Sequence, residues 1–235
     1  MKPFKFKQFE IQQSANVFRV GTDGVLLGAL ANVDFAENVL EVGAGTGLIS
    51  LMLAQRNSKA KFLGIDISEV AVHLTDLNFK NSIFSSRLQN ILHDFKTFET
   101  HEKFDLIVTN PPYFETSDSS KDKIARQNVE LNFYQLISKS SELLSENGVF
   151  SVIIPFEVGA DFIKIAKENQ LFLKRRINIY GIENSKIKRL ILEFSSNEKK
   201  LEESDFIIEK SPRKYSDQYL ELTNEFHVFK KEDRN

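Results

Sequence analysis

Four nearly continuous apolar runs, spaced along the chain with helical patterns between them, constrain the fold more than any other feature. They are "NVLEV" (38–42), "KFLGID" (61–66), "FDLIVT" (104–109) and "GVFSVII" (148–154). A strand with one wet face alternates apolar and polar residues, whereas a strand buried on both faces of a parallel sheet reads as an unbroken apolar run. The intervening segments "GLISLMLAQR" (47–56), "SEVAVHLTDLNFKN" (68–81) and "NFYQLISKSSELLSEN" (132–147) carry helical periodicity. Ser68 sits at an N-cap position with Glu69 in the first turn, and Gly148 follows the third helix as a stop. Strand and helix in strict alternation predict a doubly wound α/β sheet, mostly parallel, with helices on both faces.

Past Phe156 the pattern predicts a helix over 157–169. Two β-rich runs at 172–180 and 188–195 follow as a closing pair with an antiparallel strand. The polar stretch 115–130 reads as a loop and 195–206 as a charged connection. A single domain over 1–235 is expected: an N-terminal extension (1–37), a core (38–195) and a C-terminal strand and helix extension (196–235).

Composition removes several classes of chemistry. The chain has no cysteine, so thiol nucleophiles, disulfides, zinc thiolates and iron–sulfur clusters are excluded. The start, "MKPFKFKQFEI", lacks the apolar core of a signal peptide, and the longest apolar run is far too short to span a bilayer, so a cytoplasmic protein is expected. Net charge is −2, yet basic residues cluster. Residues 1–20 hold Lys2, Lys5, Lys7 and Arg19 against Glu10, and residues 161–189 hold eight basic against three acidic side chains. Two such segments are able to form one phosphate-binding face, which includes Arg175 and Arg176.

Two loops at strand ends carry the chemistry. "EVGAGTGLIS" (41–50) places glycines at 43, 45 and 47 where a turn gives a ligand close access to bare backbone and to helix N–H groups. A dinucleotide fingerprint needs its third glycine at position 48, which is Leu48, so a nicotinamide cofactor is the weaker reading. The second loop ends a strand abruptly in Asn110-Pro111-Pro112-Tyr113. The prolines stiffen the backbone into extended geometry. The Asn110 side-chain oxygen and the Pro111 carbonyl can each accept one N–H of a planar NH2 group, while Tyr113 and Phe114 can stack on a base. The four histidines (73, 93, 101, 227) are scattered and suggest no general base.

The glycine spacing resembles the first motif of the S-adenosylmethionine-dependent methyltransferases of Rossmann-like, class I fold. The resemblance implies a cofactor cleft lined by Glu41, Gly43, Ala44, Gly45, Gly47, Asp66, Ile67, Asp94 and Asn110. Asp66 would take the ribose hydroxyls and Asp94 would read the adenine amino group. Asn-Pro-Pro-Tyr resembles the tetrad of enzymes that methylate planar amino groups, either adenine N6 or the glutamine amide of peptide release factors. "VGTDGVLLGA" (20–29), "ARQNVEL" with Arg126, and "KYSDQYLELTNEF" (214–226) resemble the bacterial adenosine-37 N6-methyltransferases of valine tRNA. That resemblance implies a lid over the cofactor with Thr22 and Asp23 in contact, ahead of a helix at 25–32. It also implies tRNA as partner, with Tyr113, Phe114, Arg126, Arg175 and Arg176 toward it. No metal and a monomer are expected. Arg19 stands where Lys is usual, and Asp66 where this family often has Glu. Residues 1–37 leave no room for the helical recognition domain usual in release-factor enzymes, which counts against the glutamine alternative. A catalytically inactive RNA-binding relative would be expected to lose a cofactor glycine, the ribose acid or the tetrad; all three are kept.

Overall fold

The four apolar runs do form adjacent strands. The structure, a computed structural model, describes residues 1–15, 17, 19–112 and 133–228. Among these residues lies a nine-stranded sheet. Its parallel half is built from β3 (Asn38–Val42), β4 (Lys61–Asp66), β5 (Leu88–Leu92), β6 (Phe104–Thr109) and β7 (Leu144–Pro155). They stand in the order β7-β6-β3-β4-β5, all parallel to their neighbours. The order reverses between β3 and β6, and such a switch point leaves a crevice outside the carboxyl ends of the strands.

Beyond β7 the sheet continues through β9 (Ile187–Ser195), β8 (Phe172–Ile182), β10 (Glu202–Ser211) and β11 (Lys214–Tyr215). β9 runs antiparallel to both β7 and β8, as the closing-pair reading expected. The stretch 195–206, read as a connection, is strand from Glu202 onward, and β10 pairs parallel with β8. Its pattern hid it. Glu202 to Asp205 are all exposed at the edge, and Phe206 is the first residue to reach the core.

Helices cover both faces. α1 (Thr22–Leu30), α2 (Leu48–Arg56), α3 (Glu69–Lys80) and α6 (Asp217–Thr223) lie with β1 (Phe4–Lys5) and β2 (Glu10–Ile11) on one side. The helical residues 133–143 (α4) and α5 (Gly159–Glu168) lie on the other. The third helix was expected to run to residue 147. It stops at 143 because the chain joins β6 at once, Leu144 pairing with Phe104 and Val149 with Leu106. Gly148 is not a left-handed helix stop. A Cβ there would come 2.8 Å from the Phe104 carbonyl oxygen, so the glycine permits close strand contact. α1 likewise begins at Thr22, three residues before the expected start, with Gly21 as its N-cap.

The two ends of the chain meet. Phe6 stacks on Phe9 at 4.6 Å and on His227 at 5.4 Å, and the Lys7 N–H donates to the Phe226 carbonyl at 2.8 Å. Phe6, Phe9 and Phe226 share the hydrophobic core of β3, β6 and α2.

Candidate active site

The crevice is shaped by the turn between β3 and α2. Gly43, Gly45 and Gly47 have φ of 74°, 59° and 74°, a region costly for residues with a Cβ. Gly47 is doubly constrained, since an added Cβ would sit 2.5 Å from the Phe79 ring. At Gly43 an added Cβ would meet nothing within 4 Å, so that turn opens onto space where a ligand can approach the backbone.

The turn is held from several directions. The N–H groups of Gly43 and Ala44 both donate to the Ile65 carbonyl, at 2.8 and 3.1 Å. From α3, the Thr75 hydroxyl donates to the Gly45 carbonyl at 2.9 Å and the Asn78 amide to the Thr46 carbonyl at 2.9 Å. Asn78 also exchanges hydrogen bonds with the backbone of Gln12, tying the N-terminal segment to the same turn. Sequence reasoning missed Thr75 and Asn78. Their signal was present as two polar residues at i, i+3 on the face of α3 that is buried, both at most 1% exposed.

Glu41 lies beneath the turn, 1% exposed, and one of its oxygens accepts from the Ser50 N–H at 2.9 Å and the Ser50 hydroxyl at 2.5 Å. Burial outweighs these bonds and pushes its carboxyl up to about 7. At the end of β4, Asp66 accepts from the Gly45 N–H at 2.9 Å and from the Ser68 N–H at 2.9 Å. Next to it Ile67 is 69% exposed. The His93 N–H donates to the Asp66 carbonyl at 3.0 Å, so Asp94 follows directly beyond the end of β5. The Asp94 carboxylate caps a short 3-10 turn through the Lys96 N–H at 3.0 Å.

Across the switch point, Val42 and Thr109 are register partners, and the Thr109 hydroxyl donates to the Val42 carbonyl at 2.9 Å. Gly43 and Asn110 therefore leave from adjacent, bonded strand ends. Pro111 is partly exposed and Pro112 exposed. Tyr113, Phe114 and Arg126 lie outside the described residues.

The first turn of α1 stands at the same end. An added Cβ on Gly24 would lie 3.1 Å from Leu48, the residue after Gly47, and one on Gly28 would lie 2.9 Å from Met52. These two small residues, one helical turn apart, let α1 pack closely on α2 and bring Thr22 and Asp23 toward the glycine turn. Asp23 already has a partner, since it accepts from Arg189 Nε at 2.9 Å.

The two arginines singled out in the sequence are engaged within the sheet. Arg175 pairs with the buried Glu193 at 3.3 Å and donates to the Leu30 carbonyl at 2.9 Å. Arg176 pairs with Glu203 at 3.6 Å and donates to Asn178 at 2.8 Å. Among the described residues no group of three or more His, Asp or Glu side chains could hold a metal ion, and no helix is long and apolar enough to cross a membrane.

A family model described as "Methyltransferase small domain" matches residues 9–172. A relative from Flavobacteriaceae bacterium (strain 3519-10), named tRNA1(Val) (adenine(37)-N6)-methyltransferase, is 56% identical over 97% of this chain and 100% of its own length. Relatives of the same name from Bacteroides thetaiotaomicron and Aliivibrio fischeri are 36% and 38% identical, covering 96% and 97% of this chain and 97% and 98% of their own. Among solved structures, one described as a "predicted O-methyltransferase, protein Atu636 from Agrobacterium tumefaciens" superposes with a TM-score of 0.69 at 18% identity, over 87% of this chain and 96% of that one. The N-methyltransferase NodS from Bradyrhizobium japonicum gives 0.53 at 20%, over 74% and 93%, and the two likenesses establish the fold alone. The glycine turn, the acid at the end of β4 and the Asn-Pro-Pro loop are thus features of a chain that belongs to the methyltransferase small domain family, among the relatives that carry the tRNA1(Val) (adenine(37)-N6)-methyltransferase name.

Proposed function

We propose that this protein transfers a methyl group from S-adenosylmethionine to N6 of an adenosine in tRNA, at position 37 of a valine tRNA. The observation that carries the reading is the bonded pairing of Val42 with Thr109, which sets Asn110 beside the glycine turn. The full-length relative at 56% identity supports the choice of acceptor through its name.

The residues present fit the cofactor. Gly43 faces open space, so a ligand can lie against its backbone. The Asp66 carboxylate, held at the end of β4 by the Gly45 and Ser68 N–H groups, would take the ribose hydroxyls. Ile67, 69% exposed, and Leu92, 51% exposed, offer apolar surface beside Asp94 for a purine ring. When bound, S-adenosylmethionine supplies an electrophilic methyl on positively charged sulfur.

The chain supplies positioning and electrostatics. Adenine N6 is a poor nucleophile because its lone pair is delocalised into the ring. The Asn110 side-chain oxygen and the Pro111 carbonyl accept its two hydrogens and turn the lone pair out of the ring plane. Tyr113 and Phe114 stack on the base once it leaves the anticodon loop. The proton released after transfer passes to water, so no strong base is needed. The protein acts in the cytoplasm, where its tRNA is found.

The test supplies labelled S-adenosylmethionine with unmodified bulk bacterial tRNA and, separately, purified release factor. The expected result is N6-methyladenosine in the anticodon loop of valine tRNA, identified by nucleoside mass spectrometry. Label in the release factor with silent tRNA would overturn the acceptor and leave the amino-group chemistry standing.

A further inference from the structure

We propose that the rim formed by Tyr134, Phe156, Lys186 and Lys188 is the docking surface for the anticodon arm of the tRNA, an inference that rests on the tRNA reading above. The sheet register places it. Thr109 is level with Val152, Val152 with Leu192, and Leu192 with Arg176. β8 continues past that level from Arg176 to Ile182, about 20 Å at roughly 3.3 Å per residue. The β8–β9 hairpin therefore stands as a wall beyond the carboxyl ends of the parallel strands, on the β6 side of the crevice where Asn110 lies.

The wall carries Lys186 and Lys188, both exposed, with Glu183 as the acidic neighbour at its tip. Among the described residues no ion pair engages either lysine, whereas Arg175, Arg176 and Arg189 are each paired with a carboxylate. The basic segment is thus divided: its arginines brace the sheet and the lysines at its tip face solvent. At the foot of the wall Phe156 follows the last residue of β7 and is 42% exposed. Pro155, the residue before it, is the register partner of Arg189. Tyr134, 49% exposed, lies at the start of α4 beside Phe133, which meets Phe162 of α5 edge-on at 5.0 Å. Phe133 and Phe162 share the hydrophobic core on the α4–α5 side of the sheet, so the start of α4 that carries Tyr134 stands beside α5, which begins just after Phe156.

One exposed aromatic residue needs no explanation. Two on the side of α4 and α5, with a hairpin beyond them whose two lysines no ion pair engages among the described residues, match what a single-stranded nucleic-acid loop presents. Reaching N6 inside an anticodon loop requires the target base to leave the stack. The nucleotides on either side then need aromatic faces, and their phosphates need positive charge.

The experiment measures binding and methylation of an RNA hairpin with the anticodon stem-loop sequence of valine tRNA over a salt series. The variants are Lys186→Ala/Lys188→Ala, Phe156→Ala, Tyr134→Ala and a control, Lys59→Ala/Lys61→Ala, both exposed at the start of β4, at the opposite end of the parallel strands. The lysine pair is expected to lower the slope of log affinity against log salt by roughly 1.4 to 1.8. Each aromatic truncation is expected to weaken binding roughly 5- to 150-fold, with Phe156→Tyr restoring most of it. S-adenosylmethionine affinity should stay at the wild-type value in all variants, and the control should keep wild-type RNA binding. Wild-type methylation of the hairpin with unchanged affinity and salt slope in the rim variants would overturn the docking surface alone. A wild-type protein that neither binds nor methylates the hairpin or intact tRNA would overturn the substrate reading beneath it.

Discussion

Replacing Arg175 by alanine separates a structural from an RNA-binding role, because the structure commits this side chain to the fold. Its partner Glu193 is 1% exposed. One Glu193 oxygen accepts from Arg175 at 3.3 Å and from the Asn32 N–H at 3.0 Å, and the other has no hydrogen-bond partner. Arg175 also covers the Leu30 carbonyl at the end of α1, and Arg56 covers those of Gly28 and Ala31. Removing one member of a fully buried pair costs about 3–5 kcal/mol. Arg175 is 27% exposed and Arg56 remains nearby, so a loss of about 2–3 kcal/mol is expected. For a 235-residue chain, about 2.1 cal/mol/K per residue makes each kcal/mol worth roughly 2 °C. Arg175→Ala should therefore lower Tm by about 4–6 °C in thermal denaturation followed by circular dichroism. Adding Glu193→Gln should recover part of the loss, since the amide oxygen can still accept from Asn32. An unchanged Tm together with lost tRNA affinity would refute this reasoning and return Arg175 to the RNA surface.

Asn110→Ala should lower kcat at least roughly 100-fold, the scale of one lost positioning acceptor, while equilibrium S-adenosylmethionine binding is retained; loss of cofactor binding would show that Asn110 serves the cofactor instead. Glu41 gives an unusual pH signature. Its folded carboxyl, raised from 4.5 to about 7, binds a proton more tightly than in the unfolded chain. The associated stability is fully present below 4.5 and is lost as pH rises through 7, by an amount on the order of 3 kcal/mol. Denaturation of the ligand-free protein between pH 5 and 8 should show this fall, and Glu41→Gln should flatten it. Gly47→Ala should cost about 1–2 kcal/mol for its left-handed backbone and about 1–3 more for the overlap with Phe79; a Tm within 1 °C of wild type would contradict the geometry.

Much of this fold was legible because burial on two faces leaves a signature that needs no tertiary information. The runs 38–42, 61–66 and 104–109 coincide with β3, β4 and β6 residue for residue. Ser68 caps α3 through the Ala71 N–H, as its position beside Glu69 implied. β10 was not legible, since a parallel strand near the sheet edge does not need the alternation that marks a half-buried one. Gly148 misled for a different reason. A glycine after a helical run reads as a stop, and only the 2.8 Å approach to Phe104 shows that it serves strand packing.

The sequence by itself determined the order of the parallel strands' apolar runs, the glycine turn and the Asn-Pro-Pro end, because backbone conformation and face-by-face burial are local demands. The tertiary structure supplied the contact that joins the strand ends carrying Gly43 and Asn110, the Thr109–Val42 hydrogen bond. It also decided which charges are already used. Arg175, Arg176 and Arg189 are indistinguishable in sequence from Lys186 and Lys188 as sources of positive charge. Their carboxylate partners lie 18, 27 and 166 residues away or are set by strand register, and no local pattern encodes which cation meets them.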